Sequence, residues 1–235
     1  MRLAALILFA SACGSPQPVQ DPAPVASEDS TVTDMHLHFD DVNAIQLAII
    51  SGNLNAVRDL ANKARAGFSG ESPPGWAPFV ERSMASTEML VVAEDLQMAA
   101  RIASTMAGTC GDCHRTQGVQ VVDHQAVAPP REEDKFSDFM IQHRWAADRM
   151  WEGIIGPSDS AWQAGAEALA STSLTNEDVG VRLEMTPEIE TLLAQIRGDA
   201  AVARTTLGAA ARQELYGRFL AGCAGCHRNM MDQQD

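Results

Sequence analysis

The sequence predicts an all-α chain built as two tandem four-helix units, and three observations carry the prediction. Apolar residues recur at steps of three and four, the spacing of one face of an α-helix. The pattern is also written twice: setting Met35 against Met140 brings His38 against His143 and Ile49-Ile50 against Ile154-Ile155. Strand-like alternation is confined to the brief Val-Gln-Val-Val at 119–122, which reads as linker.

The elements follow in order. Met1-Arg2 supplies a short positive start, "LAALILFA" an apolar run, and small residues precede Cys13. Residues 1–12 therefore read as a signal peptide. A cysteine at that place resembles the lipobox of bacterial lipoproteins, in which Cys13 becomes the lipidated first residue, although Ala10 stands where leucine is usual. The apolar run falls short of the ~20 residues a bilayer span needs. Residues 13–34, rich in Pro, Ser and acid, read as a lipidated tether that keeps the folded part near a membrane surface.

Residues 35–118 form the first unit. Met35, His38, Val42, Ile45 and Ile49 make the stripe of its first helix. A short helical segment, the loop "GFSGESPPGWAP" and a helix with Pro78 in its first turn follow. Leu96, Ala99, Ala103, Met106, Cys110 and Cys113 mark the last helix. Residues 119–135, with Pro129-Pro130, are the linker. The second unit spans 136–235. Its first stripe is Met140, His143, Ala147, Met150 and Ile154. Gly156-Pro157 breaks that helix and Ser158-Asp159 restarts the chain; Thr186 caps a helix opening at Pro187. The loop between them is "STSLTNEDVGVRLEMTP". The final stripe is Ala209, Arg212, Tyr216, Phe219, Cys223 and Cys226, with Arg212 its one polar interruption. Most apolar residues on these stripes are expected to do no more than pack the core.

With 31 acidic against 17 basic side chains the formal charge is −14. That argues against nucleic acid, whose phosphates would repel the surface. It suits redox partner proteins with basic or mixed-charge docking faces, or simply a well-solvated surface.

Of five cysteines, one sits in the lipobox and four sit in two Cys-x-x-Cys-His motifs, Cys110-Gly-Asp-Cys113-His114 and Cys223-Ala-Gly-Cys226-His227. Three chemistries use such pairs. A thioredoxin-like redox pair belongs beside a βαβ pattern, which is absent. A zinc site can join two Cys-x-x-Cys pairs, but here each pair is followed at once by histidine and belongs to its own repeat. Covalent haem c takes this motif as its attachment signature. On a helix, positions i, i+3 and i+4 share a face. Both cysteines can then form thioethers while the histidine ligates iron. The expectation is two haem c groups, with Cys110, Cys113, Cys223 and Cys226 as tethers and His114 and His227 as proximal ligands. Each imidazole needs a partner on its other nitrogen to fix the ring.

A motif near the end of the last of four helices, "MAGTCGDCH" above all, resembles the class II cytochromes c, the cytochrome c′ and cytochrome c-556 group. The likeness covers roughly 35–118 and 136–230; each unit is shorter than the usual single-haem domain, and two are joined in tandem. It implies two tandem four-helix bundles, each with one covalently bound haem c, whose far side faces the first helix. In the family that position is open or filled by methionine. Here the first helices offer His38 and His143, with Met35 and Met140 as the alternative sixth ligands. His36, roughly 200° round the helix from His38, should face solvent, and His124 in the linker has no assigned role.

The resulting expectation is a membrane-anchored one-electron carrier, not an enzyme, exported to the periplasmic side of a bacterial membrane. A cytochrome c′-like binder of NO or CO is the alternative, and a di-haem peroxidase a third reading. No arginine or histidine constellation announces such a distal site; Arg144 and Arg149, in the first helix of the second unit, could approach it, and surface ion pairs are their expected use. Class II bundles often pair through their outer helices, so a homodimer is one expectation; packing of the two units on each other within the chain is the other.

Overall fold

The structure, a computed structural model, describes residues 28–68, 72–119, 136–172, 174–180 and 182–233. The signal peptide, Cys13, His124 and the Pro129-Pro130 linker lie outside these residues. Among the described residues there are nine helices and no strand. They are α1 (Glu28–Ile50), α2 (Leu54–Gly67), α3 (Ala77–Val91), α4 (Leu96–Gln117), α5 (Phe136–Ile155), α6 (Asp159–Ser171), α7 (Asn176–Gly180), α8 (Pro187–Ala203) and α9 (Ala209–Asp232).

Local chemistry sets the helix ends. Asn53 accepts from the Ala56 amide at 3.0 Å, Asp95 from Met98 at 2.6 Å, Ser158 from Ala161 at 3.1 Å and Thr186 from Ile189 at 3.3 Å. Each side chain satisfies an amide that the first helical turn leaves orphaned. Pro78 and Pro187 occupy first-turn positions. At the other end of α4, Gly118 turns left-handed (φ 66°) and the Val119 amide returns to the His114 carbonyl at 2.9 Å.

In the first repeat, α1 packs on α2, α2 on α3, α3 on α4, and α4 returns to α1; in the second, α5, α6, α8 and α9 follow the same order. The repeats are packed together, chiefly through α4 against α9, with α1 on α9 and α5 on α4 at the sides. One apolar cluster runs through both, from Val42, Ile45 and Ile49 to Met150, Trp151, Ile154 and Phe219. Burying each large side chain contributes about 1.5–3 kcal/mol. Small residues let the helices approach. A Cβ on Gly153 would lie 2.6 Å from the Trp162 amide nitrogen, and one on Gly111 would lie 2.3 Å from the Ile154 carbonyl oxygen. One buried polar chain crosses the centre: Gln46 Nε2 donates to the Tyr216 hydroxyl at 2.7 Å, and that hydroxyl donates to the Ala147 carbonyl at 2.9 Å. Three helices, α1, α5 and α9, thus share one buried phenol.

Several expectations change. α1 begins at Glu28, inside the stretch read as tether. The second repeat holds an additional short helix, α7, in the loop expected to be irregular. Asp178 accepts from the Thr175 amide at 2.7 Å while its own amide donates to Thr175 Oγ1 at 3.1 Å, a reciprocal cap that nucleates the turn. Val179 then buries in a second small cluster with Leu174, Leu183, Ile189 and Leu193. Arg149 is buried rather than on the surface and pairs with Glu152, because it lies on the packed side of α5. Arg144 forms the expected ion pair, with Asp148 at 2.9 Å, but half-buried rather than on the open surface.

Candidate functional site

Helices α4 and α9 each present a Cys, a Cys and a His at i, i+3 and i+4. All four cysteines are free thiols, half-buried. Burial, reinforced by the neighbouring cysteine, pushes the Cys110 and Cys223 thiols up to about 12; burial also raises Cys113 and Cys226. All four therefore stand as neutral thiols at neutral pH.

The motif histidines are held in a way that spans the repeats. His114 Nδ1 donates to the carbonyl of Ile155 at 2.7 Å, and His227 Nδ1 donates to the carbonyl of Ile50 at 2.5 Å. Ile50 closes α1 and Ile155 closes α5. Carbonyls in the last turn of a helix have no intrahelical partner and carry the negative end of its dipole. Each imidazole satisfies one. Because the partner is a carbonyl, Nδ1 carries a proton, which makes Nε2 the lone-pair nitrogen of the neutral tautomer. Each repeat's first helix thus anchors the other repeat's motif histidine, and the two bonds are equivalent in the internal alignment.

In the second repeat, Met140, His143, Leu193, Ala200, Cys223 and His227 line a mostly apolar cleft. His143 and His227 are therefore on the walls of one cavity. His143 Nε2 donates to the Thr172 carbonyl at 2.7 Å. In the first repeat His38 Nε2 makes the matching bond to the Gly67 carbonyl at 3.2 Å and packs on Phe68 with ring centroids 4.7 Å apart. Burial lowers the His143 pKa, an effect partly offset by the Thr172 bond and reinforced by His227. The ring is neutral at neutral pH. Met35 and Met140 are half-buried on the same stripes, Met140 against the second small cluster. His36 is exposed. Among the described residues no group of three or more His, Cys, Asp or Glu side chains converges as a bare metal site.

Two features of the site carry no mark in the sequence. The Ile50 and Ile155 acceptors are backbone atoms; the repeated Ile-Ile pair was visible, but not its use. Arg197, on α8, lines the same cleft as His143 and His227 and was not singled out. Set against known proteins, the chain matches no family model, no curated protein and no solved structure.

Proposed function

We propose that this chain is a di-haem c-type cytochrome: two haem-binding four-helix bundles in tandem, related in pattern to the class II cytochromes, acting as a one-electron carrier. The observation that carries the reading is the anchored pair of motif histidines. A metal-ligating histidine normally gives its other ring nitrogen to a carbonyl or carboxylate, which sets tautomer and orientation. His114 and His227 do so, each beside two unpaired cysteines on the same helix face.

The residues fit the group on further grounds. Neutral, half-buried thiols suit thioether attachment, and the cleft of the second repeat is mostly apolar and lined by both His143 and His227. When bound, haem iron supplies reversible one-electron exchange at a potential set by its axial ligands and surroundings. The chain's own part is to hold. Cys110, Cys113, Cys223 and Cys226 tether, and His114 and His227 present Nε2 as a lone pair. The apolar walls exclude water. His38 and His143 are the candidate sixth ligands, with Met35 and Met140 as alternatives. Partners are then redox proteins with basic docking faces, and residues 1–13 assign the chain to the periplasmic side of a bacterial membrane through lipid on Cys13. No helix among the described residues is long and apolar enough to cross a membrane.

One observation favours a second reading. Both His38 and His143 give Nε2 to a backbone carbonyl. If those bonds persist with haem in place, the sixth position is open and the protein is a cytochrome c′-like binder of NO or CO. Expression of the full chain with haem-c maturation tests both readings. The carrier reading expects a mature mass that includes two haems, an alkaline pyridine spectrum of two haems per chain, and low-spin spectra indifferent to CO. CO binding at high-spin iron selects the gas binder, and a colourless product ends both.

A further inference from the structure

The two sites are not copies of each other. Aligning His38 with His143 sets Phe39 against Arg144, and aligning Cys110 with Cys223 sets Met84 against Arg197. Both arginines line the cleft that also holds His143 and His227. The Arg144 charge is answered one turn away by Asp148, at 2.9 Å. Arg197 is half-buried and donates to the Leu174 carbonyl at 2.9 Å and to Asn176 Oδ1 at 3.5 Å, both neutral acceptors, so neither bond cancels its charge. In the first repeat Met84 packs against the apolar core and Phe39 is exposed. Beside the first motif, Arg82 (3.2 Å) and Arg115 share the carboxylate of Asp112 in an exposed cluster that solvent and salt screen.

Resting on the di-haem reading, we propose that Arg197, with Arg144 beside it, receives the carboxylate side groups of the porphyrin in the second site alone and makes that site the more easily reduced of the two. Two physical effects agree in sign. Reduction adds one negative charge, and an unanswered cation on the wall favours the reduced form by Coulomb attraction, the more so where the medium is less polar than water. The second site also carries the additional apolar cover of α7 and its cluster, where Leu174, Leu193 and Met140 line the cleft or pack beside it. Arginine suits the task because its planar fork matches a carboxylate in two hydrogen bonds.

The test is a spectroscopic redox titration of the full haem-loaded chain, with haem content measured on the same samples. Two unequal midpoints are expected. Arg197→Met, which installs the first repeat's residue, should lower the upper midpoint by the equivalent of about tenfold in the reduction constant, about 59 mV for one electron, and leave the lower one in place. Arg197→Lys should retain most of the upper value. Asn176→Ala removes only the loop contact and should move neither midpoint. An Arg197→Met protein with two haems and an unmoved upper midpoint overturns the proposal, as does an Asn176→Ala shift as large as that of Arg197→Met. A chain that carries no haem at all refutes the di-haem reading instead, so the two failures are distinguishable.

Discussion

Replacing Gly111 by alanine puts a methyl group where α4 crosses the end of α5. The new Cβ would lie 2.3 Å from the Ile154 carbonyl oxygen, where ordinary contact begins at 3.4 Å. About 1 Å of separation must therefore be found, by backbone movement rather than by a side chain swinging away. The next carbonyl along, that of Ile155, holds His114 at 2.7 Å. A shift of that size carries the bond past ~3.2 Å, the outer edge of a good N–H···O contact. Overpacking of this kind costs about 1–3 kcal/mol, while alanine in a helix interior returns about 0.8–1 kcal/mol relative to glycine. The net expectation is a loss of about 0–2.2 kcal/mol, against the gain expected of an unobstructed glycine. Gly198→Ala is the control, because a Cβ there meets nothing within 4 Å inside α8. That variant should gain about 0.8–1 kcal/mol. Urea unfolding of both full-length variants measures the difference, and the Nδ1–H signal of His114 by nuclear magnetic resonance reads the anchor. If Gly111→Ala gains as much as Gly198→Ala and leaves the His114 signal unmoved, the α4–α5 crossing and the anchor built on it are wrong.

Other perturbations follow from the same geometry. Tyr216→Phe strips the hydroxyl that accepts from Gln46 and donates to Ala147, leaving buried polar groups unpaired; a loss of about 1–3 kcal/mol is expected in the same unfolding assay. Burial holds the Tyr216 phenol well above its usual value of 10.0, although the bond from Gln46 opposes this. Folded protein should therefore show no phenolate absorbance near pH 10, and the chain has one tyrosine, so the signal is unambiguous. The unfolded chain does ionise there, so stability should be unaffected below pH 10 and decline as pH rises above it. A normal titration in the folded protein would contradict the buried network. On the proposed di-haem reading with histidine as sixth ligand, His38→Leu and His143→Leu should each convert one haem from low to high spin by electron paramagnetic resonance, and unchanged spectra in both variants remove these residues as ligands.

Much of the architecture was readable from local pattern. Val42, Ile45, Ile49, Ala147, Met150 and Ile154 fall on stripes of helical period and are buried. Thr186, Ser158, Pro78 and Pro187 mark helix starts because capping depends on residues only a few positions apart. The extent of α1 and the presence of α7 were missed. The composition of residues 28–34 reads as tether, and α7 depends on burial of Val179 in a cluster assembled from distant segments. Arg149 was misplaced for a related reason: a charged side chain is read as exposed until the helix packed over it is known.

The sequence by itself determined that the chain is helical, that it is written twice, and that each copy ends in two cysteines and a histidine on one helix face. These are properties of spacing along a few turns. Only the tertiary structure decided that the copies interlock, with His227 reaching back 177 residues to Ile50 while His114 reaches forward to Ile155. The acceptors are main-chain carbonyls, which every residue carries alike. No choice of amino acid announces them, and they acquire a role only where packing brings the end of one helix against the histidine of another.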